Sequence, residues 1–148
     1  MNAPLVPASF EVPVGLETDR YQLRMLTVHD VIKDYEAVMS SVAHLKGVLD
    51  PGSSWPEGLS LEQNLIDLGW HQKEFQRRSS FAYTVVRPDE KQCLGCIYIY
   101  PSTDADVDVF LWVRADEFES LDEHLNQTIR NWMTTNWPFK KVSYPGRE

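Results

Sequence analysis

The sequence predicts a mixed α/β or α+β layer fold in one domain. Three observations predict it: apolar segments with period-two alternation, apolar helical stripes that open on capping residues, and the order strand, helix, helix, three strands, helix, strand. At 148 residues the chain can bury a core of its own without disulfides or metal.

Residues 1–15 are rich in Pro and lack periodicity, so an irregular arm is expected ahead of a domain spanning 16–148. In 20–26, Tyr21, Leu23 and Met25 alternate with Arg20, Gln22 and Arg24, which predicts a strand with one wet face. Thr27 and Asp30 then form a capping box before Val28, Val31, Ile32, Tyr35, Val38, Met39 and Val42, a stripe that predicts a helix ending near Ser41. A long Pro-, Gly- and Ser-containing connection, 44–58, follows. Ser60 and Gln63 repeat the capping pattern before Leu61, Leu65, Leu68 and Phe75, with Gly69 weakening that helix. Residues 81–87 and 93–100 flank a Pro-Asp turn and predict an antiparallel hairpin. The next strand, 107–113, puts Val107, Val109, Leu111 and Val113 on one face and Asp108, Phe110 and Trp112 on the other. Ser120 and Glu123 mark a third capping box before Leu121, Leu125, Ile129, Trp132 and Met133, and 140–144 predicts a last short strand.

The formal net charge of -8, with only Arg77-Arg78 and Lys140-Lys141 as adjacent cations, argues against a nucleic-acid partner, because such binding needs clustered Lys and Arg. No apolar run approaches the roughly 18 residues of a membrane span, so no membrane partner is expected. The N-terminal stretch has no basic start followed by an apolar segment and does not read as a secretory signal, so cytoplasmic residence is expected. Cys93 and Cys96 lie in a predicted strand, where positions three apart point to opposite faces with Cα atoms on the order of 10 Å apart, too far for a disulfide. Buried packing is their expected role. His29, His44, His71 and His124 show no metal spacing, and no metal is expected; His29 and His124 fall in first helical turns and should be solvated. His44 and Asp50, beside the long connection, are candidate pocket residues. Trp112, Trp132 and Trp137 are expected to pack as one aromatic series.

Residues 16–31 carry a specific pattern: Leu16, Thr18, Arg20 and Tyr21, then Leu23 and Arg24, then Asp30 opening a helix. This resembles the opening of the GNAT superfamily of N-acetyltransferases, in its ribosomal-protein-alanine acetyltransferase branch. Residues 93–101, with Gly95, look like that family's third strand. Residues 106–113 look like its fourth, with Trp112-Val113 at a common Trp-Val and Asp108 where Glu is frequent. The resemblance implies a central, mostly antiparallel sheet with helices on both faces. It implies acetyl transfer from acetyl-CoA, as co-substrate, to an amine on a small molecule or a protein N-terminus. It also implies that the pantetheine arm lies along Leu111, Trp112, Val113 and Arg114, contacted mainly by backbone, and that Asp108 is the candidate base that takes the amine's proton.

Two departures set the alternative. The family's glycine-bearing pyrophosphate loop is replaced by 114–125, where Asp116, Glu117, Glu119, Asp122 and Glu123 crowd the joint; a carboxylate about 4 Å from a phosphate charge costs roughly 4 kcal/mol at an effective dielectric of 20. Asp122 is read as favouring the helix dipole. The chain also stops soon after its last strand, where the family usually continues with a helix and two strands. An edge or apolar face would then need cover, which pairing of two copies as a homodimer would supply. The alternative is a non-catalytic binding or interaction protein on the same fold that has lost coenzyme binding.

Overall fold

The computed structural model describes residues 3–147. Among these, six strands form one sheet in sequence order: β1 (Gly15–Glu17), β2 (Gln22–Met25), β3 (Phe81–Val86), β4 (Cys93–Pro101), β5 (Val107–Val113) and β6 (Val142–Ser143). All neighbours are antiparallel except β5 and β6, which run parallel. The helices are α1 (Val31–Met39), α2 (Val42–Leu45), α3 (Leu61–Arg77) and α4 (Phe118–Asn136).

The period-two alternation sorts the side chains into two cores. Tyr21, Leu23, Tyr83, Val109 and Leu111 meet Leu125, Ile129 and Met133 of α4 on one face. Leu26, Ala82, Tyr98 and Trp112 meet Val38 of α1, Leu45 of α2 and Leu68 of α3 on the other. The predicted capping box at Thr27 and Asp30 is formed, and Asp30 also takes both ends of the Arg24 guanidinium. Ser60 accepts from the Gln63 N–H as predicted, although the Gln63 side chain turns to Asp67.

Several expectations are corrected. The arm is docked: Val6 is buried, and Arg78 Nη2 donates to the carbonyls of Pro7 (2.6 Å) and Phe10 (2.8 Å). Gly15–Glu17 adds a strand the element order lacked, and Val42–Leu45 an extra short helix. Ile32 is 65% exposed. In α3 the inward stripe is Asn64, Leu68, His71 and Phe75, while Leu61 and Leu65 lie outside, because two polar residues took positions that periodicity assigns to leucines. Trp132 and Trp137 pack together with ring centroids 5.5 Å apart, but Trp112 lies across the sheet from them.

Cys93 and Cys96 are buried free thiols as expected, but the expectation that they face opposite sides of the sheet fails for a specific reason. Val85 pairs with Gly95 but Val86 pairs with Cys93, so β4 carries a bulge that accommodates Leu94 as an extra residue. The bulge resets the alternation, and Cys93 and Cys96 enter the same core, both buried as free thiols. Just beyond it Gly95 faces Val113, where any Cβ would run into the Trp112 carbonyl.

Gly95→Ala is therefore expected to destabilise the fold by about 3 kcal/mol, whereas Gly69→Ala, whose Cβ would sit 3.7 Å from Val28 Cγ1 inside α3, should stabilise it by roughly 0.5–1 kcal/mol. Denaturant unfolding of the two variants checks both signs.

Candidate functional site

The parallel pair is short. Val107 faces Val142 and Asp108 faces Ser143, after which β6 ends while β5 runs on to Val113. The Arg114 N–H bonds the Leu94 carbonyl on the β4 side (2.8 Å), so alternation turns the main-chain groups of Trp112 toward β4 and those of Val109, Leu111 and Val113 toward the open edge. Two contacts agree: His44 Nε2 lies 3.1 Å from the Val113 carbonyl, and Arg147 Nη2 donates to that of Leu111 at 3.5 Å. This edge opens into a groove of about 750 Å³ whose lining includes His44, Asp50, Asp108, Phe118 and Arg147. His44 packs edge-on against Phe118, and Arg147 makes a two-pronged ion pair with Asp122 at 2.8 and 2.9 Å. Asp122 thus serves that pair.

The sequence-derived residues occupy distinct positions around this groove. Asp108 is half-buried at the fork of β5 and β6. Leu111 and Val113 offer backbone to the groove. The Trp112 ring points into the α1–α3 core, where its Nε1 donates to the Tyr98 hydroxyl at 3.0 Å. The Arg114 side chain is 3% exposed and turned away: it donates to Glu36 at 2.7 and 2.9 Å, to Asp116 at 2.6 Å and to the Cys93 carbonyl at 3.1 Å.

The start of α4 is also filled. A 3-10 turn, Ala115–Glu117, leads into it; the Ala115 N–H goes to Ser41 Oγ (2.9 Å), that of Glu117 to the Arg114 carbonyl (3.1 Å) and that of Phe118 to the Ala115 carbonyl. The predicted capping box at Ser120 is absent, because the helix begins two residues earlier and Ser120 Oγ donates back to the Glu117 carbonyl. Phosphate binding at a helix start needs free N–H groups, and three here are used. The groove therefore fits an amide-bearing chain along β5, while the α4 start has fewer free N–H groups to offer a pyrophosphate.

A second cavity, about 300 Å³, lies on the α1–α3 side and shares Gly47, Leu49 and Asp50 with the groove. Asp34, Asp50 and Asp67 line it without any Lys or Arg, and Trp55, Trp70 and Tyr98 add aromatic surface. Asp34 is 3% exposed. Asn64 Nδ2 donates to its Oδ2 at 2.9 Å, leaving Oδ1 without a protein donor among the described residues. Burial pushes the Asp34 carboxyl up to about 6, against the opposing Asn64 bond. Burial pushes His71 down to about 4, which keeps it neutral at pH 7, and its buried Nδ1 has no partner. The sequence reading missed Asp34, Asn64 and His71. Their signal was polar residues on the inward stripes of amphipathic helices, between Val31 and Val38 and around Leu68. Among the described residues no group of three or more His, Cys, Asp or Glu is arranged to hold a metal ion, and no helix is long and apolar enough to cross a membrane.

No protein-family profile and no curated protein sequence matches the chain. Its fold, however, is that of the GNAT acetyltransferases. The structure is similar to ribosomal-protein-S5-alanine acetyltransferase from Vibrio fischeri, with TM-score 0.65 and 17% identity over 82% of this chain and 67% of that one. It is similar to a ribosomal L7/L12 alpha-N-protein acetyltransferase solved with coenzyme A, with TM-score 0.61 and 17% identity over 85% and 70% of the two chains. It is also similar to the microcin C7 self-immunity acetyltransferase solved with acetyl-CoA and AMP, with TM-score 0.64 and 10% identity over 85% and 71%. The chain spans about two thirds of the length of these proteins. The resemblance read from residues 16–113 thus holds for the fold.

Two variants test the site's electrostatics. The Asp34 carboxyl loses its proton near 3.8 when unfolded and near 6 when folded, so between those values the native state holds more protons and stability falls as pH rises. Asp34→Asn should therefore stabilise the free protein by about 3 kcal/mol at pH 7, a gain that shrinks as pH falls toward 4 in parallel urea titrations. Arg114→Ala, which leaves the buried Cys93 carbonyl without this donor and a void where the side chain packed, should cost on the order of 2–3 kcal/mol by the same measurement.

Proposed function

We propose that this protein transfers an acetyl group from a thioester donor to an amine. The observation that carries the proposal is the unpaired edge of β5 at Leu111 and Val113, opening into a groove that meets an anionic, aromatic cavity at residues 47–50. Main-chain groups of Leu111 and Val113 would hold the amide-bearing arm of acetyl-CoA, displacing the side-chain contacts of His44 and Arg147. When bound, acetyl-CoA supplies an acyl carbon on sulfur; the overall exchange forms a C–N bond, breaks the C–S bond and passes a proton from the amine to the thiolate. Asp108, at the fork of the groove, takes the ammonium proton that must leave before the nitrogen can attack. The walls of Phe110 and Phe118 limit water at the same place. The acceptor is an amine on a small molecule or at a protein N-terminus; the structural neighbours include a ribosomal L7/L12 alpha-N-protein acetyltransferase and a microcin C7 self-immunity acetyltransferase.

A non-catalytic binding protein on this fold is the second reading, favoured by the filled start of α4 and the carboxylates around it. Thiol release from acetyl-CoA and from acetyl-pantetheine, followed with a panel of primary amines, separates the two. Amine-dependent release is expected, and Asp108→Asn should slow it about 100-fold at pH 7. No release from either donor by folded protein would leave the second reading.

A further inference from the structure

The cavity on the α1–α3 side has a chemistry that the transfer reaction does not require. Its carboxylates have no cation among the lining residues, and an acyl acceptor needs only one amine. Asp34 is buried deeply enough to cost the free protein stability, while an asparagine in its place would keep a hydrogen bond to Asn64. His71 adds a second polar atom without a partner: Nδ1, buried between the rings of Trp70 and Tyr98, each with its centroid 5.3 Å from the imidazole. A carboxylate oxygen and an imidazole nitrogen without protein partners at the inner end, aromatic walls between and Asp50 at the shared rim describe a seat for an ammonium with an apolar stem behind it.

We propose that the cavity between α1 and α3 binds one end of a small organic dication of the α,ω-diamine type, its ammonium seated on Asp34 Oδ1 and His71 Nδ1 and its other amine directed past Asp50 toward the β5 groove. The ammonium donates its hydrogens to the carboxylate and to the neutral imidazole, which restores the interactions that burial denies Asp34 in the empty protein. Trp70, 53% exposed at the rim, and Trp55 cover the methylene stem. The volume of about 300 Å³ sits at the small end of ligand cavities, which suits a short chain and excludes a folded polypeptide segment. The seat itself stands without the acyl-transfer reading; only the fate of the second amine, which would lose one proton and gain the acetyl group, rests on it.

Calorimetric titration of the full chain without any thioester tests the seat by itself. The probes are 1,4-diaminobutane, its next longer homologue, 1-aminobutane, 1,4-butanediol and a trialanine peptide that carries a single N-terminal ammonium. A diamine is expected to bind at least tenfold more tightly than 1-aminobutane or the peptide, with no binding of the diol. Asp34→Asn, expected to fold with added stability, should weaken the diamine at least tenfold, and Trp70→Ala at the exposed rim should weaken it severalfold. Equal binding of monoamine and diamine, or an Asp34→Asn variant that binds as the parent does, overturns the proposal. Thiol release with the same probes then separates the two readings. Diamine binding without transfer keeps the seat and removes the acetyltransferase reading, whereas transfer to the peptide with no diamine preference keeps the acetyltransferase and removes the seat.

Discussion

The joint between β5 and α4 is organised around one buried cation. A guanidinium that is 3% exposed must have its donors met by the protein, since an unpaired buried charge costs several kcal/mol. Arg114 meets this demand with Glu36 from α1, the Cys93 carbonyl from β4 and Asp116 from its own turn. Three elements are fixed relative to one another by that requirement. Asp116 reaches Nε from a chain that turns tightly after β5, and that 3-10 turn uses the N–H groups of Glu117 and Phe118. Of the acidic residues that read as hostile to an anion, Asp116 pairs with Arg114 and Asp122 with Arg147, so these two are structural.

The sheet distributes the remaining roles by geometry. With both faces covered, β3 and β4 are buried for most of their length, and the place where the sheet leaves hydrogen-bonding groups open to a groove is the edge of β5 beyond Asp108. Parallel strands that pair for two residues and then part leave such an edge without disturbing either core. His44 and Arg147 meet its carbonyls through side chains alone, at 3.1 and 3.5 Å, which another donor can replace. The bulge before Gly95 and the close approach of Gly95 to the Trp112 carbonyl keep β5 in register on its other side.

Asp34 shows stability and binding pulling in opposite directions. A carboxylate that burial raises to about 6 weakens the fold at neutral pH, and an amide would serve packing better. Its neighbours compound the cost: the Asp30 and Asp67 charges both act to raise it further. A cavity that concentrates negative charge, keeps its histidine neutral and supplies aromatic walls has the composition of a cation seat. Strain of this kind is expected where a protein keeps a group for what it binds.

What the sequence determined by itself was whatever depends on neighbours within a few residues. Alternation in 107–113 assigned both faces of β5 correctly, Thr27 and Asp30 marked a cap that forms as read, and the ordered motifs of residues 16–113 identified the fold. The resemblance, not the alternation, pointed to Asp108, Leu111 and Val113, since strand period puts Asp108 on the face opposite Leu111 and Val113. Tertiary structure decided the rest. The bulge that turns Cys93 and Cys96 into one core depends on pairing with Val85 and Val86. The docking of the arm depends on Arg78, far along the chain. Arg114 was legible as a cation but not as a buried one, since its partner Glu36 lies on another element. Asp34, Asn64 and His71 become a cavity only when α1 and α3 pack side by side, and local periodicity carries no information about which polar residues of two separate helices will face each other.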